Sequence, residues 1–296
     1  MPMSKQTLAR RQKQDYAAYL FIAPFVILAL VFMIYPIGKG FVTSFYNTKW
    51  AKEVFVGLAN YKKIFSSDTY MKAIRNTLIY VAAVVPILIL AGIWIAGSVF
   101  DKRPKYVSFV RICLYLPVIA SMVVMSIIWR FILDSQTGLV KYFSMILGGE
   151  AVNLLANEKS AIVLVIFILF TMNIGQTVLL YIADMLGIPK DLIEAATIDG
   201  ASRTDLFRYL LIPLTKPTTV LVFITQTSAV LKVFIVIQLL TKGGPNYGTT
   251  SLMYLLYQEA FENSNTGIAC AVGVLLFLMS LILVLFRLVA ERKGKE

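Results

Sequence analysis

The side chains of this sequence that could bind a solute are set in apolar surroundings: Ser121, Asn173, Gln176, Gln226 and Lys232. Amides and hydroxyls among aliphatic and aromatic side chains suit a polyhydroxylated solute. They bond its hydroxyls while the apolar groups cover its ring faces. Asn173 and Gln176 are three apart and share a helix face. The other reading of these residues is structural. Amides can join helix to helix, and serine or threonine can bond back to its own helix. Lys232 costs about 2.5–3.5 kcal/mol at a helix centre in a membrane, so it either snorkels or lines a cavity as a donor to solute or to an acidic partner group. Covalent, acid–base and metal chemistry have little to work with. There are no histidines, which removes the commonest metal ligand and general base. Cys113 and Cys270 lie in apolar runs, read as small core residues and imply no disulfide framework. No G-x-x-x-x-G-K-[ST] phosphate cradle occurs. The "GKG" at Gly38–Gly40 lacks its spacing and reads as a flexible turn.

The elements that must position these residues are membrane spans. The chain has 296 residues, 58% hydrophobic and 15% charged, with a mean hydropathy of +0.77. Soluble domains carry about 25% charged residues, and a spanning helix needs roughly 20 apolar ones. Six runs meet that need: Ala17–Ile37, Leu78–Phe100, Val107–Leu133, Ala161–Gly187, Thr218–Leu240 and Ile268–Val289. The first has a basic flank but is longer than a signal core, with no A-x-A-like cleavage site, and reads as a retained span. The expected fold is therefore all-α and integral to the membrane: a cytoplasmic segment 1–16, a six-span domain 17–289 with a loop at 188–217, and a tail 290–296.

Orientation follows the distribution of Lys and Arg. With both termini inside, the inside segments carry fifteen and the outside segments ten. A net charge of +12 then sets topology. Seven of the outer ten lie in the first outer loop, where interleaved Phe55, Val56, Leu58, Tyr61, Ile64 and Phe65 predict short amphipathic helices along the membrane surface. Arg111 and Arg130 are nearer the interfaces and are expected to snorkel. Trp94 and Trp129 sit near span ends, as in an aromatic belt.

The fourth connection, "EAATIDGASRTDLFRYLLIPLTKP" from Glu194 to Pro217, faces the cytoplasm in this topology. Pro189 suits a first helical turn, and "PKDLIEAATID" reads as a short helix. Ala195 and Ala196 allow another surface to approach closely. Gly200 is a natural stop. Ser202 and Asp205 make a capping box for a second helix, and Pro213 and Pro217 mark entry to the fifth span. On residues alone, this is either a connector resting on headgroups or a docking element.

"EAATIDGA" followed by "LLIPLTKP" resembles the EAA signature of ABC importer membrane subunits, with Ile212-Pro213-Leu214 in place of the usual I-x-L-P. "FVGLANYKKIF", "NIGQTVLLYIADMLGIPKDLIEAA" and "LLTKGGPNYGTTSLMYLLYQEAF" are similar to the carbohydrate-uptake branch, the permeases of the maltose and glycerol-phosphate type. The resemblance covers nearly all of the chain from the first span onward. It implies the six-span type I importer permease fold and a non-catalytic subunit of a sugar importer in a bacterial cell membrane. It also implies its partners: a second homologous permease, a pair of cytoplasmic ATPases holding ATP and Mg, and an extracytoplasmic sugar-binding protein. By the same resemblance, Glu194 meets a basic residue of the ATPase, Ala195 and Ala196 pack closely, Asp199 caps or orients the turn, and Gly200 permits it. Gln226 falls where such permeases tend to place a polar sugar contact. Two other classes stay open on the residues themselves. An ion-coupled carrier usually shows acids within its spans, whereas Asp184 here lies near a span end. A membrane enzyme would need clustered acids or histidine.

Overall fold

In hydrocarbon there is no water for backbone N–H and C=O groups, so an apolar chain must satisfy them inside helices. The computed structural model describes residues 19–49, 53–146 and 153–293, from 286 onward as backbone only. The basic segment 1–16 lies outside these residues, as do the side chains of the tail. Helix α1 is Tyr19–Thr43. An antiparallel ribbon follows, β1 (Tyr46–Asn47) with β2 (Val54–Phe55), pairing Tyr46 with Phe55. Then come α2 (Ala59–Ser66), α3 (Asp68–Val99), α4 (Pro104–Ile119), α5 (Met122–Ile132), α6 (Leu139–Ile146) and α7 (Glu158–Leu186). Helices α8 (Lys190–Ile198) and α9 (residues 203–214) form the fourth connection. The remainder is α10 (Lys216–Leu231), α11 (Ile235–Leu240), α12 (residues 252–262) and α13 (Thr266–Lys293).

The described part of each apolar run is mostly helical, but two runs are interrupted. The run Val107–Leu133 is not one straight span. It bends by 94° between α4 and α5. Pro117 lacks the N–H that would continue the α4 ladder, Ala120 and Ser121 are extended, and the Ser121 hydroxyl accepts from Val124 N to start α5. The fifth run breaks at Lys232–Phe234, between α10 and α11. Lys232 is thus not at a helix centre. It is exposed at the C-terminal cap of α10. Pro86 is accommodated inside regular α3, whereas two other prolines follow wider turns. A π stretch at Leu30–Ile34 precedes Pro36, and another at Leu206–Leu211 precedes Pro213. Such turns relieve the clash between a proline ring and the carbonyl four residues back.

The first outer loop folds differently from the surface helices expected of it. It yields the ribbon and one amphipathic helix, and α2 turns Ile64 inward while Lys62 and Lys63 stay exposed. Ile64 joins Tyr70, Ala73, Leu252, Ile268 and Val272 in a small core under the outer end of α13. The main core runs between α3, α7 and α10 around Tyr80, Val84, Leu88, Ile168 and Tyr181. By contrast the most apolar stretch of α1 buries none of its residues against the chain.

Hydrogen bonds fix which connections share an end of the bundle. At one end Arg203 Nη2 reaches Asp101 Oδ1 at 2.8 Å, joining the connections that follow α3 and α7. At the other, Asn246 Nδ2 reaches Glu158 Oε1 at 2.9 Å, and the hydroxyls of Thr48 and Thr266 lie 2.7 Å apart. The chain between Pro104 and Glu158 therefore crosses the bundle. The broken pair α4–α5 counts as the third of six spans.

Helix α4 lies directly on α7. A Cβ added at Gly175 would stand 2.1 Å from the Leu114 carbonyl oxygen, and neither backbone can yield without losing helical bonds. Gly175→Ala is expected to destabilise the chain by about 1–3 kcal/mol, as overpacking typically does. The loss will register as a lowered unfolding midpoint of the purified protein in detergent. Gly38→Ala, where an added Cβ meets nothing within 4 Å, serves as the control.

Candidate functional site

The α8–α9 loop is assembled from local backbone chemistry. Pro189, extended at φ −56° and ψ 130°, sits at the N-cap of α8 rather than inside its first turn. At the other end Gly200 N–H donates to Thr197 O at 3.1 Å and Ala201 N–H to Ala196 O at 3.0 Å. These two bonds make a Schellman closure. It requires Gly200 at φ +84°, where an added Cβ would touch nothing. The glycine is needed for its conformation rather than for space. Helix α9 starts from the expected capping box: Ser202 Oγ accepts from Asp205 N at 3.2 Å and Ser202 N donates to Asp205 Oδ2 at 3.0 Å. The Ser202 hydroxyl also donates to Asp205 Oδ2 at 2.5 Å, and this bond first, with the one from Ser202 N, holds the Asp205 carboxyl below the usual range. Asp199 supplies its backbone at the C-cap of α8, and its side chain is exposed.

What α8 presents is chemically specific. Glu194 and Ala195 are exposed and Ala196 is half-buried. Leu192 is 45% and Ile198 86% exposed. An acid beside bare apolar side chains on a rigid projecting helix forms a surface suited to cover by another protein. Below it α9 is seated on α3. Phe207 lies so close to Gly97 that an added Cβ there would stand 2.1 Å from its ring, and Leu211 is buried. A cleft of about 490 Å³ opens beside this seat, lined in part by Trp94, Asp101, Ile193, Thr197 and Arg203.

The five polar residues of the spans separate into buried and exposed. Gln226 is 1% exposed and its Oε1 has no partner among the described residues, like the Oγ1 of adjacent Thr227. Asn173 is buried, but its Nδ2 donates to Leu169 O of its own helix at 2.7 Å. Gln176 is exposed, so burial divides the two amides of α7. Ser121 is spent on capping α5 and Lys232 ends α10, both exposed. Trp94 is 66% exposed, as a belt residue would be. Trp129 instead packs edge-on against Phe167, ring centroids 5.5 Å apart. Composition and motif give Arg203 and Phe207 no role of their own. Their spacing of four on an amphipathic helix was the available signal.

This chain belongs to the family of binding-protein-dependent transport system inner membrane components, which matches residues 73–294. It is 32% identical to the probable ABC transporter permease protein PH1215 of Pyrococcus horikoshii, over 94% of this chain and 96% of that one. It is 31% identical to the arabinooligosaccharides transport system permease protein AraP of Bacillus subtilis, over 92% and 87%. With the lactose transport system permease protein LacF of Rhizobium radiobacter it shares 29%, over 95% and 96%. Its fold matches that of a bacterial alginate ABC transporter crystallised with an alginate pentasaccharide-bound periplasmic protein. There the TM-score is 0.82 at 24% identity, covering 94% of each chain. The chain is thus a multi-pass membrane component of binding-protein-dependent transport.

Removing the Ser202 hydroxyl should loosen the start of α9. Ser202→Ala is expected to cost about 0.5–2 kcal/mol of local stability, read as faster hydrogen exchange of the amides of residues 203–206, and Ser202→Thr should restore it. Because the folded pKa of Asp205 is depressed, its contribution is fully present above the ordinary carboxylate pKa. It fades only as pH falls through the lowered value. Protection of these amides, corrected for intrinsic rates, should therefore hold across neutral and mildly acidic pH.

Proposed function

We propose that this chain is a permease subunit of an ATP-driven carbohydrate importer in a bacterial cytoplasmic membrane, and that α8 couples it to a cytoplasmic ATPase. The observation that carries the reading is the α8 surface: Glu194 and exposed apolar side chains on a helix closed by its own backbone at Gly200. The names of relatives that transport arabinooligosaccharides and lactose support the substrate class. ATP and Mg belong to a pair of ATPase subunits, so this chain supplies no catalytic group. A second homologous permease completes the path, and an extracytoplasmic binding protein delivers the sugar.

In mechanism, closure of the ATPase pair displaces α8 and α9 and switches the cavity between outward- and inward-facing states. Glu194 pairs with a basic residue in the ATPase groove, while Ala195 and Ala196 let the two backbones approach. Asp199 and Gly200 hold the turn that sets the angle between the two helices. Within the path, Gln226 is the strongest sugar contact. A buried amide oxygen without a partner is costly, and a sugar hydroxyl is a donor that would satisfy it. Asn173, Gln176, Ser121 and Lys232 are secondary candidates. The exposed three are open to a cavity wall that the second permease would complete.

Two measurements test these roles. In the assembled complex, Glu194→Lys combined with Gly200→Pro should abolish uptake and ligand-stimulated ATP hydrolysis. Near-normal values would sink the role given to the loop. For the path, ATPase stimulation by the binding protein across a panel of mono- and oligosaccharides identifies the substrate. With that sugar, Gln226→Leu should raise the half-saturation for transport by about 5- to 150-fold, the equivalent of about 1–3 kcal/mol for a lost buried hydrogen bond, with assembly unchanged.

A further inference from the structure

We propose that Arg203 and Phe207 form a positioning strut that locks α9 to the end of α3, so that displacement of the loop is delivered to α3 as a rigid-body movement. The strut's use rests on the coupling reading above; its existence does not. Arg203 Nη2 donates to Asp101 Oδ1 and to Ser98 O, both at 2.8 Å. Ser98 is in the last turn of α3, where carbonyls lack helical partners and the helix dipole favours a cation. One turn along α9, the Phe207 ring rests on the bare backbone of Gly97. A further turn on, Leu211 is 3% exposed. Residues 203, 207 and 211 form one stripe at a spacing of four, and Gly97 and Asp101 are also four apart. The contacts are a full turn apart on α9, and they fall on Gly97 and Ser98 in the last turn of α3 and on Asp101 in the turn that follows it. A single contact would be a pivot, whereas two separated contacts fix an angle.

The ion pair has little energetic weight. Its side chains are 54% and 48% exposed, and Lys102 Nζ lies 3.8 Å from the same Asp101 oxygen. Exposed pairs of this kind contribute little to stability. The guanidinium fork acts through direction: it aims α9 along the line that seats Phe207 in its notch. Helix α3 then packs along both α7 and α10, the helices that carry Asn173, Gln176 and Gln226. A loop so held moves the end of α3, and with it the walls on which those amides stand.

The test is a distance measurement in lipid nanodiscs. Cysteines replace Leu90 on α3 and Tyr209 on α9, each 69% exposed, in a chain whose Cys113 and Cys270 are serine. Both sites carry spin labels. The distance distribution is recorded on the full chain without ATPase, then on the complex with Mg-ATP and vanadate. The strut predicts one narrow peak that keeps its mean in both states. Arg203→Ala and Gly97→Val should each lose the single peak, and Arg203→Lys, which keeps a cationic donor for Asp101 and Ser98 O, should retain it. A peak in the parent that shifts with nucleotide, or one that Arg203→Ala leaves narrow, overturns the proposal. So does loss of the peak in Arg203→Lys as complete as in Arg203→Ala, since a merely destabilised loop would behave that way. Recording the chain alone first separates the strut from the coupling reading, which fails instead if the ATPase does not bind the parent chain.

Discussion

Every backbone amide and carbonyl that enters the hydrocarbon must find its partner within the chain, and the architecture follows from that constraint. It explains why most of the described residues between Tyr19 and Lys293 are helical. It also explains where the helices fail. The bend between α4 and α5 comes just after Pro117, and Ser121 supplies the acceptor that the restarted helix lacks. Two of the π stretches sit just before Pro36 and Pro213, while a third at Gln258–Glu262 precedes no proline. At the break after α10, Lys232 and Val233 N–H groups turn back to Val230 O. At the starts and ends of these breaks a nearby group, Ser121 Oγ or Val230 O, takes up a backbone N–H that the helix would otherwise leave open.

Much of this was legible in the sequence. The runs Ala161–Gly187 and Leu78–Phe100 became α7 and the inner part of α3, because twenty consecutive apolar residues have one low-energy state in lipid. The cap at Ser202 and the stop at Gly200 were readable because both are local: their partners lie within five residues. The bend was not, although Pro117 was in view, because prolines are tolerated in spans whenever neighbours satisfy the freed groups. Lys232 was placed mid-helix since hydropathy averages over a window and cannot register a three-residue gap. The ribbon of β1 and β2 escaped notice because two paired residues per strand leave no alternating pattern. Arg203 and Asp101 are more than a hundred residues apart, and nothing in either segment names the other.

Helix α3 ties the two ends of the molecule together. Its 32 residues give a length of about 48 Å, more than a bilayer core requires. Near its outer end, Asn76 Nδ2 bonds the carbonyls of Gly248 and Thr250 at 2.8 and 3.1 Å, and Tyr80 OH bonds that of Thr249 at 2.9 Å. Thr77 Oγ1 accepts from Leu252 N at 3.0 Å. Its inner end carries Gly97, Ser98 and the approach to Asp101. One helix therefore holds the loop before α12 at one face and α9 at the other, with the main core packed along its length.

The Schellman closure at Gly200 and the Ser202–Asp205 box have a consequence for association. Both termini that meet at this turn are already satisfied by the loop's own groups, so its helices have no order left to acquire when another surface arrives. Binding to such a segment forfeits side-chain freedom at positions such as Leu192 and Ile198, but little backbone entropy. Encounter is then a rigid-body event, with a rate set by orientation and charge rather than by waiting for a loop to fold.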